Sequence, residues 1–283
     1  MQAFSVMPMS EEIDLQPGEI YQGSIRISNP ANATEDLHYS ISVSPYSIID
    51  DEYTVDFVTT SNRSQIVDWI EILEPSGIVA PNGVKEVSYT VNVPVDAPSG
   101  GQYAMLEVRS DNNNSESSGI AINNVFELAS IIYARVAGET RHEGTIISNS
   151  IPGFVTNGQP NVSATLTNNG NVHESAQITI KIVNLLTQDV IFPNGDENGV
   201  FNEVVMPEST RFATRQLTSL PALGVFEVTQ DVSYLGNVEN AHNAKVMIMC
   251  PLWFLALVIL TLGTIIGGII GTIHRHRKKR MVF

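Results

Sequence analysis

Apolar and polar residues alternate along most of the chain before residue 245. Apolar side chains at every second position are typical of strands with one buried face. Turn signals rich in Pro and Gly, such as "QPGE" (16–19) and "APSGG" (97–101), separate these runs. The pattern predicts an antiparallel β-sandwich of short strands. The alternating runs are Ile25 and Ile27; Leu37, Tyr39, Ile41 and Val43; Val87, Tyr89, Val91 and Val93; and Ala104, Leu106 and Val108.

A second set of alternating runs follows "VAGETRHEG" (136–144). Asn169-Gly170 and Asn194-Gly195 are hairpin signals within it. We therefore predict an all-β body of two tandem immunoglobulin-like antiparallel β-sandwiches, over residues 1–137 and 138–243, and we interpret the polar segment "GNVENAHNAK" (236–245) as a short stalk. The second set comprises Val162, Ala164 and Leu166; Ile178, Ile180 and Ile182; and Phe226, Val228, Val232 and Tyr234.

The end of the chain has a different pattern. Residues 246–273 carry no charged side chain, and about 20 apolar residues suffice for a helix to cross a bilayer. A buried core helix is the alternative, but such a helix is rarely apolar on every face over this length. The sequence predicts a single transmembrane helix over residues 244–273 and a basic tail over 274–283.

Charge predicts the orientation of this helix. The tail is basic, and basic residues flanking a span stay on the cytoplasmic side, so we expect a single-pass cell-membrane protein with an extracytoplasmic body and a cytoplasmic C-terminus. The start "MQAFSVMPMSEEI" has no signal-peptide pattern, so this topology requires that a signal peptide was removed or the start assigned late. A tail-anchored protein with a cytoplasmic body is the competing topology. The residues expected to fix the topology are Arg275, Arg277, Lys278, Lys279 and Arg280.

Small residues recur within the predicted span. Gly263, Gly267 and Gly271 lie four residues apart, a spacing at which a second helix can approach closely. Glycine is also simply common in membrane helices. We interpret these three residues as a helix-packing stripe, which makes homo-oligomerisation or pairing with another membrane helix possible.

Charge and cysteine content exclude some classes of protein. Ten basic residues precede the tail, against thirty acidic residues, and nucleic-acid binding needs the opposite balance. The single cysteine, Cys250, lies in the apolar run and cannot form an intramolecular disulfide.

Candidate chemistry is sparse. In "NGDENG" (194–199), Asn194, Asp196 and Asn198 alternate as at the start of a calcium loop, but Val205 stands where the bidentate Glu is expected. A hairpin tip uses the same residue types for its own geometry. "HESAQ" (173–177) has Gln177 in place of the second histidine of a zinc-protease helix. We expect no cofactor and no enzymatic activity.

Two longer motifs carry a resemblance to a known family. "LQPGEIYQGSIRISNPAN" (15–32) and "VNVPVDAPSGGQYAML" (91–106) resemble the first domain of the WxL-interacting protein family of Gram-positive bacteria. The resemblance implies a peptidoglycan-binding first sandwich, a second sandwich, one membrane helix and a basic tail.

The pattern and the resemblance together predict a function. We expect a non-enzymatic, membrane-anchored cell-surface protein whose sandwiches bind cell-wall peptidoglycan or another surface protein in adhesion or attachment. The alternative is an accessory or scaffold subunit of a membrane complex, recognised through its transmembrane helix.

Overall fold

The computed structural model describes residues 4–48, 54–56, 58, 61–110, 126–193 and 198–280, with side chains as far as residue 271. The described residues form twenty strands, one 3-10 helix and one C-terminal apolar α-helix. The prediction of a mostly β chain that ends in an apolar helix is therefore confirmed.

The chain forms two compact units. The first comprises Met1–Gly144 together with two later segments, Thr167–Glu174 and Val204–Arg211. The second comprises Thr145–Leu166, Ser175–Glu203 and Phe212–Phe283. The predicted boundaries at residues 137 and 243 stay predictions.

The first unit contains a four-stranded sheet in the order β1-β3-β9-β7, a five-stranded sheet in the order β2-β11-β10-β4-β8, and a two-stranded pair, β5-β6. A 3-10 helix, Gln65–Trp69, precedes β7. The strands are β1 (Ser5–Met7), β2 (Ser10–Leu15), β3 (Ile20–Ser28), β4 (Leu37–Pro45), β5 (Ser47–Ile48), β6 (Val55–Asp56), β7 (Ile70–Ile72), β8 (Ser76–Val79), β9 (Val84–Asn92), β10 (Gly100–Ser110) and β11 (Glu127–Val136).

The two larger sheets share one core, as the alternation predicts. Ile25 and Val87 from the first sheet lie in the same buried cluster as Leu106 and Ile132 from the second. Each of these side chains is at most 2% exposed. The inward positions are apolar because each strand presents alternate residues to the facing sheet.

The N-terminal segment is divided between the two sheets. β1 pairs antiparallel with β3, whereas β2 pairs parallel with β11. Pro8 lies between them, and proline has no N–H to donate to a ladder. One short segment thus serves both sheets and covers only part of each.

The second unit contains a three-stranded sheet, β12-β14-β18, and a sheet in the order β13-β20-β19-β15-β16, in which β17 also pairs with β15. Asn169-Gly170 does not form a hairpin, because the strands on either side of it belong to different sheets. The strands are β12 (Gly144–Ser150), β13 (Phe154–Val155), β14 (Asn161–Asn168), β15 (Glu174–Asn184), β16 (Val190–Ile191), β17 (Val200–Val205), β18 (Ser209–Gln216), β19 (Gly224–Tyr234) and β20 (Glu239–Met249).

The interpretation of residues 236–245 as a stalk is wrong. Most of this segment belongs to β20, which pairs with β19 along its whole length, from Tyr234↔Glu239 to Gly224↔Met249. The segment is polar because its outer face is exposed, whereas Met247 and Met249 on its inner face are buried. The sandwich therefore continues almost to the apolar helix.

The C-terminal helix α1 spans Leu252–Arg280. Its apolar part, Leu252–Gly271, is 20 residues long with a mean hydropathy of 2.4 and is not buried against the rest of the chain. It is long and apolar enough to cross a membrane. The helix begins later than the predicted residue 244, because β20 occupies the chain as far as Met249.

Candidate functional site

The edge of β3 is only partly covered. β1 pairs with residues 26–28 of β3, through Met7↔Arg26, Val6↔Ile27 and Ser5↔Ser28. In the part of the chain that the structure describes, no strand pairs with residues 20–25 on this side of β3. We call residues 20–25 the free edge of β3.

The backbone register shows which groups this edge presents. Val93 donates its N–H to the Glu19 carbonyl at 2.9 Å, and Asn29 donates to the Gly83 carbonyl at 3.0 Å. Since backbone groups alternate in direction along an antiparallel strand, odd-numbered residues of β3 face β9. Gln22 and Ser24 therefore direct their N–H and C=O groups toward the free edge.

A groove of about 520 Å³ lies beside the free edge. Its wall combines hydroxyl and amide side chains with a few apolar groups, and its ionisable side chains include two carboxylates. The lining residues are Pro8, Glu11, Tyr21, Gln22, Gly23, Ser24, Leu73, Glu86, Ser88, Tyr89 and Thr90.

Glu11 in the groove wall is hydrogen-bonded to two tyrosines of β3 and β9. Its carboxylate accepts a hydrogen bond from the Tyr21 hydroxyl at 2.8 Å and another from the Tyr89 hydroxyl at 2.8 Å. Burial and the hydrogen bond to Glu11 raise the pKa of Tyr21 to about 12 and also raise the pKa of Tyr89, which is more deeply buried. Both hydroxyls thus remain protonated donors at neutral pH. We call these three residues the Glu11 cluster.

The Glu11 cluster depends on a glycine. Gly23 lies directly opposite Tyr89 in the ladder, and a Cβ at Gly23 would lie 2.3 Å from the Tyr89 ring. Only glycine therefore allows the Tyr89 ring to cross β3 and reach Glu11.

A second polar cluster of the first unit surrounds His173. The His173 ring lies 5.7 Å from the ring of Tyr103 and 5.2 Å from that of Tyr133, measured between centroids. His173 and Tyr103 are each 1% exposed. Tyr46 packs edge-on against Tyr133, with centroids 5.8 Å apart. We call His173 with these three tyrosines the His173 cluster.

Hydrogen bonds indicate which nitrogen of the His173 ring carries the proton. Arg135 Nη2 lies 3.2 Å from His173 Nε2, and the Tyr103 hydroxyl lies 3.4 Å from Nδ1. Because a guanidinium group only donates, Nε2 must accept and the ring proton must lie on Nδ1. Burial and, next, the charge of Arg135 lower the pKa of His173 to about 4, although Glu12 and Asp14 oppose the shift. His173 is therefore neutral at pH 7.

A cavity of about 520 Å³ also opens beside the His173 cluster, where Tyr46, Tyr103 and Met206 form part of its wall. Gln102 lines this cavity and donates to the Asn62 carbonyl at 2.9 Å. The strand residues beside this cavity belong to β10, to the two-residue strand β5 and to the first residue of β18, whereas the β3 groove lies beside six successive residues that no described strand pairs with on that side. We therefore take the free edge of β3 with its groove as the candidate site.

The structure leaves the sequence-predicted site residues untested. Asn194 and Asp196 lie outside the described residues, and Asn198 lies in a turn. No group of three or more His, Cys, Asp or Glu side chains that could hold a metal occurs among the described residues. Gly263, Gly267 and Gly271 lie on α1, and a Cβ at any of them would meet nothing within 4 Å beyond its chain neighbours and the adjacent backbone of the helix. Arg275, Arg277, Lys278, Lys279 and Arg280 belong to the last turns of α1.

Sequence reasoning missed the β3 edge and both clusters. The signal for the edge was present in "VMPMS" (6–10), where a proline interrupts an alternating run and so marks the end of strand pairing. Neither cluster has a sequence signal, because each joins residues from distant parts of the chain.

Comparisons with known proteins gave similarities of fold. No family model matches the chain and no curated protein matches it. A chain of the chaperone–tip adhesin complex of CFA/I fimbriae is similar over 86% of this chain and 98% of its own, with 15% identity and a TM-score of 0.43. The class 5 fimbriae chaperone CfaA is similar over 87% and 100%, with 14% identity and a TM-score of 0.42. A chain of the Salmonella enterica SafA pilin–SafB chaperone complex is similar over 88% and 97%, with 10% identity and a TM-score of 0.41.

The predicted membership of the WxL-interacting family is wrong, since fimbrial chaperones recur among the similar structures and no family model matches. The two motifs that suggested it contain turn glycines, Gly18 and Gly100, with φ of 81° and 104°. Such turns serve many sandwich families.

The functional predictions that followed from this resemblance are corrected as well. Attachment to cell-wall peptidoglycan or to another surface protein is wrong, because the similar chains are named as chaperones and complexes with pilin or tip adhesin. The alternative role as an accessory subunit recognised through the helix has no support either.

Proposed function

We propose that this chain is a non-enzymatic binding protein, anchored in a membrane by α1, whose first unit takes up an extended segment of a partner polypeptide as an added strand on the free edge of β3. The observation that carries the proposal is the incomplete pairing of β3, because β1 pairs with residues 26–28 alone. Strand addition satisfies backbone groups that an edge leaves open, and it gives affinity through main-chain hydrogen bonds.

The chemistry of the edge supports this role. Natural edge strands are commonly protected by charged side chains, by proline or by a covering loop. Residues 20–25 read "IYQGSI" and contain no charged residue and no proline. Ile20 is 65% exposed. This segment therefore has the features of an edge that receives another strand.

The groove gives such a strand a place for its side chains. Gln22 and Ser24 lie on the outer face of the sheet beside the groove, and the Glu11 cluster closes its inner end. In an added strand, alternate side chains would point toward this wall. Main-chain bonds would supply affinity and the groove would supply selectivity.

The remaining parts of the proposal concern architecture and location. Two compact units and the facing sheets of the first unit support tandem immunoglobulin-like sandwiches. The 20-residue apolar part of α1 supports a single membrane span, and the basic residues after it support a cytoplasmic C-terminus.

A random heptapeptide library screened against the full chain in nanodiscs tests strand addition. We expect enriched peptides to bind the wild-type chain and the Gln22→Thr variant but not Gln22→Pro. Proline at this position removes the outward N–H and leaves the bonds to β9 in place, because Gln22 does not donate to β9. Peptides whose backbone amides are methylated at alternate positions should also lose binding.

The proposal fails if Gln22→Pro, with an unchanged melting temperature, binds the enriched peptides as tightly as Gln22→Thr does. It fails equally if the library yields no peptide that protects the amides of Gln22 and Ser24 from hydrogen exchange.

A further inference from the structure

The outer face of β19 and β20 changes in polarity along its length. At the end formed by the turn between the two strands, Ser233 Oγ bonds Asn240 Oδ1 at 2.6 Å, and His242 Nδ1 lies 2.5 Å from Asp231 Oδ1. Toward the other end, β20 exposes Lys245, Val246 and Ile248, and the exposed Glu227 on β19 lies opposite Val246. The same sheet is therefore polar at one end, and its last exposed residues before α1, beyond Glu227 and Lys245, are apolar.

The apolar end is broader than one strand. Phe154 on β13 pairs with Ile248, and Leu223 directly precedes β19. Exposed fractions are 53% for Phe154, 45% for Leu223, 49% for Val246 and 41% for Ile248. We call these four residues the membrane-proximal patch. Exposed side chains of this size, grouped together, indicate an interaction surface.

The connection to α1 determines what can cover this patch. Cys250 donates its N–H to the Val155 carbonyl at 2.9 Å, so the chain stays attached to the sheet as far as residue 250. The Pro251 carbonyl then accepts from Phe254 and Leu255 at 3.0 Å in the first turn of α1. No flexible linker separates sheet and helix among these described residues.

The length of the connecting chain limits how far the patch can lie from the start of α1. Leu252 follows Ile248 by four positions in the chain, so their Cα atoms are at most about 14 Å apart. The apolar part of α1, Leu252–Gly271, has 20 residues, which match a hydrocarbon core of about 30 Å. Leu252 then lies at the boundary of the hydrocarbon core, beside Trp253, a residue type enriched at this depth.

We infer that the membrane-proximal patch rests on the bilayer itself, with Phe154 and Ile248 in the interfacial region of the lipid. This inference rests on the membrane anchoring by α1 in the proposed function. Lipid is the expected partner because a membrane span that begins at Leu252 places the bilayer surface next to the patch. The four apolar side chains suit the boundary between headgroups and acyl chains.

Quenching by brominated lipid tests the inference on the full chain. Single cysteines are placed by Phe154→Cys, Ile248→Cys, Val238→Cys and Leu260→Cys in a Cys250→Ser background, labelled with an environment-sensitive fluorophore and reconstituted in phosphatidylcholine vesicles. Val238 is the matched control, since it is 78% exposed in the turn at the polar end of the sheet. Leu260 reports on the span.

We expect brominated phosphatidylcholine to quench the labels at 260, 154 and 248, with a blue-shifted emission at 154 and 248, and to leave the label at 238 unquenched. Quenching at 260 without quenching or a blue shift at 154 and 248 would overturn the inference and leave the anchoring intact. A label at 260 that lipid does not quench would overturn the anchoring as well. Melting temperatures equal to that of the Cys250→Ser chain show that the labelled variants are folded.

Discussion

The first unit contains two polar clusters built from similar parts, and they differ in the charge of the central group. In the Glu11 cluster, a carboxylate accepts hydrogen bonds from the two hydroxyls of Tyr21 and Tyr89. In the His173 cluster, an imidazole lies among three tyrosine rings and accepts from Arg135. The central group of the first cluster only accepts hydrogen bonds from its tyrosines, whereas the central group of the second is a neutral ring at pH 7.

The difference shows that tyrosine side chains can surround either a carboxylate or a neutral imidazole. Hydroxyl groups stabilise a carboxylate because they donate to it. A buried histidine beside a guanidinium gains nothing from protonation, since a proton on Nε2 would face the N–H of Arg135. Packing around Tyr89 therefore tests the Glu11 cluster, and pH tests the His173 cluster. Each prediction below tests one side of this contrast.

The largest expected effect comes from Gly23→Ala. A methyl group at this position would lie 2.3 Å from the Tyr89 ring, so the ring must leave its place across β3 and lose its contact with Glu11. We expect a loss of about 3 kcal/mol in the free energy of unfolding, measured by chemical denaturation of the full chain. Ser24→Ala is the control, because it removes one exposed hydrogen bond to Glu86 on the same strand. Equal stability of the two variants would show that Tyr89 can move freely and that the glycine is not required.

The second prediction is a loss of stability in acid that depends on His173. Its pKa is about 4 in the folded chain, below the ordinary value of 6.5, so the unfolded chain binds a proton first as the pH falls. Stability should therefore decrease between about pH 6.5 and pH 4 and change no further on account of His173 below that range. The groups that face His173 are Arg135 on β11, Glu12 and Asp14 on β2, and the hydroxyl of Tyr103.

The full loss of unfolding free energy from this one group is about 3 kcal/mol. Unfolding measured across the pH range for the wild-type chain and for His173→Gln checks it. For His173→Gln, the free energy of unfolding should fall less between pH 6.5 and pH 4 than it does for the wild-type chain. We call this His173-dependent fall the acid step. Parallel profiles for the two chains would mean that His173 does not set the acid response.

A smaller effect is expected from Glu11→Gln. The carboxamide oxygen can accept from one tyrosine hydroxyl, and the amide N–H₂ must meet the oxygen of the other, so the cluster loses a charge-assisted bond and keeps its shape. The expected cost is about 1 kcal/mol. A double-mutant cycle with Tyr89→Phe measures the coupling, and additivity of the two changes would contradict a direct bond between Glu11 and Tyr89.

The fold followed from the sequence where one local rule applied to a whole segment. The alternation at Val87, Tyr89 and Val91 gave the buried face of a strand correctly, because the period of a strand is set by the backbone. The apolar run gave the helix for a similar reason. By contrast, the sequence of β20 predicted a polar stalk, because the outer face of the strand is polar near Asn240. Only its pairing with β19 identifies β20 as part of a sheet.

The candidate site could not be predicted in the same way. The free edge of β3 exists because β1 pairs with three residues of β3 and the chain then continues into the other sheet at β2. Such a choice depends on how two sheets compete for one segment, and no local pattern records it. His173 was noticed only as part of an incomplete zinc motif, since its neighbours Tyr103 and Arg135 lie far away in sequence.

The smallest expected effect concerns the origin of the His173 shift, and Arg135→Ala tests it. Arg135 bonds Glu12 Oε2 at 2.8 Å, and Glu12 Oε2 lies 3.7 Å from His173 Nε2. Without the guanidinium, the carboxylate of Glu12 would face the imidazole with no competing cation, so the folded-state pKa of His173 should rise. The acid step should then be smaller and its lower limit should move to higher pH. At pH 7 the cost should be under about 1 kcal/mol, because the Arg135–Glu12 pair is partly exposed.

The matched control is Arg109→Ala, which removes an exposed ion pair with Glu127 at the other end of the β10–β11 hairpin. We expect its pH profile to coincide with that of the wild-type chain. If Arg135→Ala also left the lower limit of the step unchanged, burial alone would account for the neutral state of His173. The contrast with the Glu11 cluster would then depend on desolvation and not on the charge that each cluster places beside its central group.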